Sequence, residues 1–286
     1  MDALPYPCGM SAVRLVRALA LSCHPIPTLA VTAITAGLAA LAGLPLGRGT
    51  LVTAAVFAGQ LSIGWSNDYL DAERDRAAHR VDKPIATGSL ERRLVGASAV
   101  VALLLAAALS VWLGWPGGAA ALGTALCGWA YNVGLKATAL SWLPYAIAFG
   151  LLPAVATLSA LPPRWPPLWA MAAGALLGVA AHCANVLPDL ADDAAGGIRG
   201  LPHRIGARAT ALSAAALLFC ASAVVLFGPG GGVSAWQLLG FAATVGVAVV
   251  AARAAYRDPS SPMFFRATIL IAGIVLVSFA FAGVGL

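Results

Sequence analysis

The chain has 286 residues, of which 60% are hydrophobic and only 10% are charged. A soluble globular protein has about 45–50% apolar and about 25% charged residues, so this composition excludes a soluble enzyme, a disordered chain and a nucleic-acid-binding protein. The formal net charge of +6 therefore points to a membrane, where the positions of the basic residues matter more than their sum.

Nine apolar segments are long enough to cross a bilayer as helices, for which about 20 residues are needed. In chain order we expect them near residues 18–43, 50–69, 94–114, 117–134, 140–160, 166–187, 209–228, 235–254 and 264–285. Proline and glycine residues punctuate the junctions between them. The segments leave no room for an extramembrane domain. We therefore predict an all-α polytopic bundle of nine transmembrane helices, in which residues 1–286 form a single integral membrane domain.

The basic residues are distributed unevenly over this predicted bundle. Of the 17 Lys and Arg residues, all but Arg48 and Arg164 fall on one side. Because basic residues concentrate in cytoplasmic loops, we expect a cytoplasmic N-terminus and an external C-terminus. The expected location is the inner, or cell, membrane of a bacterium. The lipid bilayer is thus an expected partner and nucleic acid is not, while the sequence indicates no particular oligomeric state.

Eight of the 11 acidic residues lie in two short clusters, each at the cytoplasmic end of a predicted helix. Each cluster has an Asn followed by two Asp residues at four-residue intervals, and the second repeats the first after 118 residues: Asn67, Asp71 and Asp75, then Asn185, Asp189 and Asp193. The same offset relates Pro84 to Pro202. This predicts a pseudo-repeat of two four-helix units plus one helix. Repeat interfaces in membrane folds are where binding sites form.

The four-residue spacing has a chemical consequence. Residues four apart stack along one face of a helix, so each cluster presents an amide and two carboxylates in a column. Opposed carboxylates repel one another unless a cation lies between them, and oxygen-only ligands favour Mg²⁺, which also binds substrate phosphates. Basic side chains near the columns suit the remaining phosphate oxygens; these are Arg80, Lys83, Lys136, Arg199 and Arg204. The expected ligand is a diphosphate bridged to the protein by Mg²⁺, with an apolar remainder among the helices.

The two clusters also resemble a known pair of motifs. Residues 67–75 have the pattern N-D-x-x-D-x-x-x-D, and residues 189–193 have D-x-x-x-D. Together they resemble the two aspartate motifs of the UbiA superfamily of intramembrane prenyltransferases. Residues 131–136, with the sequence Y-N-V-G-L-K, resemble the Tyr/Lys element of that family. The resemblance extends over the whole chain and agrees with a bundle of nine helices.

The resemblance implies Mg²⁺-dependent transfer of a prenyl group from a prenyl diphosphate to a small-molecule acceptor, aromatic or otherwise electron-rich. The implied catalytic residues are Asp71, Asp75, Asp189, Asp193 and Lys136. The implied metal ligands are the same four Asp residues together with Asn67 and Asp68. Tyr131 and Lys136 join the basic residues named above in binding the diphosphate.

Three further residues near the motifs are candidates for contact with the substrate: Asn185, His182 and Trp65. His182 lies one turn before Asn185 in the sequence, and Trp65 precedes the first motif by two residues. Both have a structural alternative. The imidazole of His182 would then bond to a backbone group, and the indole of Trp65 would lie at the membrane interface.

Two other functions fit the same sequence. A terpene cyclase on this scaffold would use an internal double bond of the donor in place of the acceptor. A cation-coupled transporter would use the acidic clusters as an ion path. Because both clusters fall on one side of the predicted bundle, the external half offers a transporter no acidic residue. The prenyltransferase is therefore the prediction with the most support.

Overall fold

The computed structural model describes residues 11–258 and 261–280. Within these residues the chain forms eleven α-helices, two short 3-10 turns and no β-strand, which confirms the all-α prediction. The helices are α1 (Ala12–Ser22), α2 (Pro25–Leu41), α3 (Leu46–Ala77), α4 (Arg92–Val111), α5 (Trp115–Val133), α6 (Leu143–Leu158), α7 (Leu168–Val186), α8 (Leu190–Ala195), α9 (Leu201–Phe227), α10 (Ala235–Arg257) and α11 (Met263–Ala280). The 3-10 turns are Leu135–Ala137 and Leu187–Asp189.

Each predicted apolar segment contains one long helix, but the structure does not confirm nine membrane spans. Among the described residues, five helices are long and apolar enough to cross a membrane, or six if the bent pair α1 and α2 forms one span. Two helices outside this count are α3 and α6. The last turns of α3 carry the charged residues of the first motif, and α6 has only 16 residues, fewer than the roughly 20 that a span needs. The long apolar helices nevertheless identify an integral membrane protein.

The first predicted segment, residues 18–43, is not one straight helix. α1 and α2 meet at an angle of 71°, with His24 between them in the left-handed region at a φ of 54°. Pro25 begins α2, where its fixed φ and missing N–H are tolerated. The break packs against Gly64 of α3, because a Cβ at Gly64 would overlap the backbone of Cys23. This close approach brings His24 next to the first acidic motif.

α3 is longer than the bilayer core is thick. Its 32 residues correspond to about 48 Å of helix, whereas the hydrocarbon core of a bilayer is about 30 Å thick. Counted from Leu46, about 20 residues fill that thickness. Asn67 and the residues after it then reach the membrane–water boundary, where carboxylates are far less costly than at the bilayer centre.

Small side chains hold the helices together. The main core is rich in alanine, and fully buried examples are Ala154, Ala180 and Ala214. Without a hydrophobic driving force between helices in lipid, small residues stabilise the bundle by allowing close backbone packing. Large apolar side chains such as Leu104 and Val101 are exposed instead and cover the outer surface of the bundle.

The two basic residues predicted on the external side both bind backbone carbonyls at helix ends. We call the end of the bundle where α3 and α7 finish the motif end, and the other the opposite end. At the opposite end, Arg48 donates from Nε to the carbonyl of Ser159 and from Nη2 to that of Leu113 at 2.9 Å. Arg164 donates to the carbonyl of Ala42 at 3.2 Å. These carbonyls follow the last turns of α6, α4 and α2, where intrahelical partners are missing.

Candidate active site

The first acidic motif lies within α3, as its spacing predicts. Asn67, Asp71 and Asp75 occupy successive turns of this helix, so their side chains share one face. The amide nitrogen of Asn67 donates to Asp71 Oδ2 at 3.1 Å. Asp71 is 9% exposed, and Asp75 is half-buried.

The second motif is divided among three elements. Asn185 lies in the last turn of α7, Asp189 ends the second 3-10 turn, and Asp193 lies in α8. Pro188 interrupts the helix, because it lacks the N–H that a continuous helix would need. The position of Pro188 predicts this interruption. The repeat in sequence is therefore not a repeat of the local backbone.

Lys136 binds Asp71 of the first motif. It lies in the 3-10 turn after α5 and is 7% exposed. Its Nζ donates to both oxygens of Asp71, at 2.5 and 2.6 Å. Burial lowers the pKa of the Lys136 ammonium, and the negative charge of Asp71 opposes that shift. Removing either partner of such a buried pair leaves an uncompensated charge.

The loop before α9 packs directly against Lys136. Gly200 approaches so closely that a Cβ there would lie 2.6 Å from the carbonyl oxygen of Lys136. The backbone N–H of Leu201 donates to Ser141 Oγ at 2.9 Å. These contacts fix the backbone that carries the lysine.

Arg80 makes a second connection, from the loop between α3 and α4. It donates from Nη1 to Asp189 at 3.1 Å, and from Nε and Nη2 to Asp82 at 2.9 and 3.0 Å. The hydrogen bonds from Arg80 lower the pKa of the Asp82 carboxyl. Ile85 and Leu90 are buried in a small apolar cluster and anchor the loop. Arg80 is thereby held over the second motif.

Two of the four column carboxylates, Asp71 and Asp189, are paired with lysine or arginine side chains. The sequence predicts columns that repel unless a cation separates them. In the structure Asp71 accepts hydrogen bonds from Lys136 and from Arg74, the latter at 2.7 Å. Asp189 accepts a hydrogen bond from Arg80. Lys136 and Arg74 therefore hold Asp71 in place, and Arg80 connects the loop after α3 to the second motif.

The donor set fits Mg²⁺ without a preformed cage. Over residues 11–258 and 261–280, no three His, Cys, Asp or Glu side chains converge on one metal position. Mg²⁺ is usually held by one or two carboxylates, with substrate phosphates and water completing an octahedron. The oxygen donors available for such a site lie at the motif end, in α3, the second 3-10 turn and α8: Asn67, Asp71, Asp75, Asp189 and Asp193.

Asp68 contacts a different set of partners from the other predicted metal ligands. One residue further along α3 turns a side chain by about 100° around the helix. Asp68 is 1% exposed, and its Oδ1 accepts from Lys83 Nζ at 2.7 Å and lies 3.0 Å from His24 Nε2. Its other oxygen is buried and has no hydrogen-bond partner among the described residues. Asp68, Lys83 and His24 thus form a separate polar cluster beside the motifs.

Four predicted residues lie outside the charged clusters. Arg199 and Arg204 are exposed, and Arg204 Nε donates to the Arg199 carbonyl at 3.0 Å. Trp65 donates its indole N–H to a backbone carbonyl of α1 at 2.9 Å. His182 is buried, with Nε2 at 3.0 Å from Ser141 Oγ. The indole of Trp65 is thus held against α1, and His182 pairs with a side-chain hydroxyl instead of the backbone group expected for a structural role.

A cavity of about 260 Å³ extends from the motif end into the bundle. We call it the apolar chamber; Asn67, Asn185 and Tyr131 line its polar mouth, and mostly apolar side chains line the rest. Tyr131 meets Tyr145 edge-to-face with ring centroids 5.2 Å apart, and Tyr145 stacks on Phe149 at 6.2 Å. Aromatic rings therefore line the chamber close to the charged groups.

Sequence reasoning missed two residues of the site. Asn132 is 4% exposed, accepts a hydrogen bond from Asn67 at 3.2 Å and donates to Ser66 Oγ at 2.8 Å. A polar residue inside an apolar helix is costly and usually functional, so its position beside Tyr131 could have revealed it. Arg74 could have been found from its i+3 spacing to Asp71.

Comparison with known proteins identifies the family and the fold. The sequence model of the UbiA prenyltransferase family matches residues 26–274. The apo structure of a UbiA homolog from Aeropyrum pernix K1 has a TM-score of 0.73 at 18% identity, covering 90% of this chain and 98% of that chain. A UbiA homolog from Archaeoglobus fulgidus bound to GPP and Mg²⁺ has a TM-score of 0.67 at 15% identity, covering 94% and 99%. The same homolog bound to DMAPP and Mg²⁺ has a TM-score of 0.66 at 15% identity, covering 94% and 98%.

A search of curated protein sequences finds no match. At identities below one fifth, the solved structures establish the shared fold. The match of the family model to most of the chain establishes membership of the family.

Proposed function

Because the chain belongs to the UbiA prenyltransferase family, we propose that it transfers a prenyl group from a prenyl diphosphate to a small-molecule acceptor, with Mg²⁺ as cofactor. The observation that carries this proposal is the placement of two acidic motifs at the mouth of the apolar chamber, with Lys136 bound to Asp71 of the first and Arg80 bound to Asp189 of the second. A prenyl diphosphate has a charged head and an apolar tail, and the site offers a matching part for each. The Archaeoglobus fulgidus homolog bound to DMAPP or GPP with Mg²⁺ supports the same assignment.

The head of the donor would be held by the two motifs together. We assign the Mg²⁺ ligands to Asn67 and to the four Asp residues of the columns. The amide nitrogen of Asn67 is used by Asp71 and Asn132, which leaves its carbonyl oxygen for the metal. When bound, Mg²⁺ supplies positive charge that stabilises the charge developing on the leaving group.

Lys136 and Arg80 would each exchange a carboxylate oxygen for a phosphate oxygen. Each already contacts a carboxylate of one motif, so this exchange requires no large movement of the backbone. Charge-assisted hydrogen bonds of this kind are about twice as strong as neutral ones. They strengthen as the diphosphate gains negative charge, so the two residues favour departure of the leaving group.

The part of the apolar chamber that lies beside the motifs would protect the reacting carbon of the donor. Departure of the diphosphate leaves positive charge on C1 of the prenyl chain. The rings of Tyr131, Tyr145 and Phe149 line the chamber beside the motifs, and aromatic faces attract cations. The apolar lining excludes water that would otherwise trap this carbon. An electron pair of the acceptor then forms the new bond to C1, and the acceptor loses a proton.

We also propose that residues 1–286 act as one domain and that the motif end faces the cytoplasm of a bacterial cell. The support is the concentration of basic residues at that end. In a cysteine-free background, a cysteine at Gly230 should react with an impermeant reagent added outside, and one at Ala78 should not. Reaction at Ala78 from outside would reverse the orientation.

Release of diphosphate is the test of the proposed reaction. Purified protein is incubated with Mg²⁺ and labelled DMAPP, GPP or longer donors, with and without a panel of aromatic acceptors. We expect release only when both Mg²⁺ and an acceptor are present, and we expect Asp189→Asn to slow it by about 10²- to 10³-fold. Asp192→Asn is the matched control, since Asp192 is an exposed neighbour in α8. A cyclic hydrocarbon formed from the donor alone would indicate a cyclase instead. Failure of every donor analogue to bind in a Mg²⁺-dependent way would contradict the proposal.

A further inference from the structure

We propose that Trp169 and Phe279 form an end wall of the apolar chamber that selects donors of four prenyl units, a C20 chain. This inference rests on the proposed function, because it concerns the tail of the same donor. It adds the length of that tail and the residues that set it.

The chamber runs almost the full depth of the bundle. The side of α2 that lines it extends from His24 to Leu38, and the side of α7 extends from Asn185 back to Trp169. These two helices run in opposite directions, with the start of α2 and the end of α7 both at the motif end. At 1.5 Å of rise per residue, the two linings are about 21 and 24 Å long.

This depth matches a particular donor length. A prenyl unit adds four carbon–carbon bonds to the chain and extends it by about 5 Å, so four units extend it by roughly 20 Å. Because the diphosphate stays level with the acidic motifs, the tail occupies the depth below them. A fifth unit would need more depth than the shorter lining provides.

Two aromatic rings line the far end of the chamber. Trp169 begins α7 and Phe279 lies in the last turn of α11, and both line the chamber. Their ring centroids are 4.9 Å apart, which is direct aromatic contact. Trp169 is also held from behind by Gly228, where a Cβ would lie 2.7 Å from the tryptophan Cβ. The indole therefore has little room to move away from a longer chain.

The experiment measures Mg²⁺-dependent binding of non-hydrolysable S-thiolodiphosphate donors of two to six prenyl units to the detergent-purified full chain. Affinity should rise with length up to four units. The five-unit analogue should then bind about tenfold more weakly, because overfilling a packed cavity is unfavourable. Trp169→Ala should remove this loss and move the optimum to five units or more. Trp165→Ala is the control, since Trp165 is 73% exposed at the same end and does not line the chamber.

A second variant tests the same idea in the opposite direction. Ala272 lines the chamber about halfway along α11, seven residues after Phe265. Ala272→Leu should weaken binding of the four-unit analogue about tenfold and leave the two-unit analogue unchanged. If Trp169→Ala does not fold, as judged by its melting temperature, the affinities of Ala272→Leu for the two-unit and four-unit analogues test the proposal instead.

The outcomes separate this inference from the proposed function. Equal affinity for all lengths from three to six units, or an optimum that neither variant moves, would overturn the end wall and leave the reaction intact. Absence of Mg²⁺-dependent binding at every length would overturn the proposed function itself.

Discussion

The two ends of the bundle use basic side chains in different ways. At the motif end, Lys136 and Arg80 contact carboxylates, and a carboxylate can be replaced by a phosphate oxygen. At the opposite end, Arg48 and Arg164 contact backbone carbonyls that helix geometry leaves without partners. A basic residue that contacts a side chain is available to a ligand, whereas one that completes a helix end is structural. The same residue type should therefore affect activity at one end and stability at the other.

The largest effect on activity should come from the acidic side of the motif end. We expect Asp71→Asn and Asp189→Asn each to lower kcat by about 10²- to 10³-fold, as for loss of a group positioned at developing charge. Asp71→Asn should also lower the melting temperature, because it leaves Lys136 buried without its partner. Steady-state kinetics and thermal unfolding, with Asp192→Asn as control, measure both. If either variant retained more than about a tenth of the activity, a loss below about 1.4 kcal/mol of barrier, the paired-motif site would be wrong.

A smaller loss should follow from the basic side of the same end. Lys136→Gln removes one charge-assisted contact, worth about 1.5–3 kcal/mol, which is roughly 10- to 150-fold in rate. Because the contact strengthens as charge gathers on the leaving group, kcat should fall at least as much as KM rises. Arg93→Gln is the control, since Arg93 is an exposed basic residue at the same end. Normal kcat and KM in Lys136→Gln at saturating Mg²⁺ would remove Lys136 from the site.

The opposite end should show the reverse pattern. Arg48→Met leaves the carbonyls of Ser159 and Leu113 without the guanidinium, and hydrogen bonds to a charged group contribute about 1.5–3 kcal/mol each. We expect a lower melting temperature and unchanged kcat and KM for the protein that remains folded. Arg93→Met serves again as the control. A folded Arg48→Met variant with reduced kcat would contradict the separation of roles between the two ends.

The sequence predicts the positions of the helices better than their shapes. Apolar length places a helix in every predicted segment. It does not reveal the bend at His24, because the bend depends on the close packing of α3 at Gly64. It also does not fix the number of spans, because α3 combines an apolar half with a charged one.

The candidate site, too, is predicted from the sequence only in part. The four-residue spacing predicts the column on α3, and Pro188 predicts the interruption of the second column. The long-range partners Lys136 and Arg80 could not be predicted, because their positions depend on how the loops fold back over the helix ends. Asp68 is an example. Its place in the first motif predicts a metal ligand, but its side chain contacts Lys83 and His24.

The central claim is that both motifs bind one diphosphate through divalent cations. An experimental structure of the chain with Mn²⁺ and a four-unit S-thiolodiphosphate tests it most directly, because anomalous scattering locates the metal. We predict metal density between the Asp71 column and the Asp189 segment, with Lys136 Nζ moved from Asp71 to a phosphate oxygen and the tail in the apolar chamber. A diphosphate bound to one motif alone, or a metal bound away from both, would contradict the account.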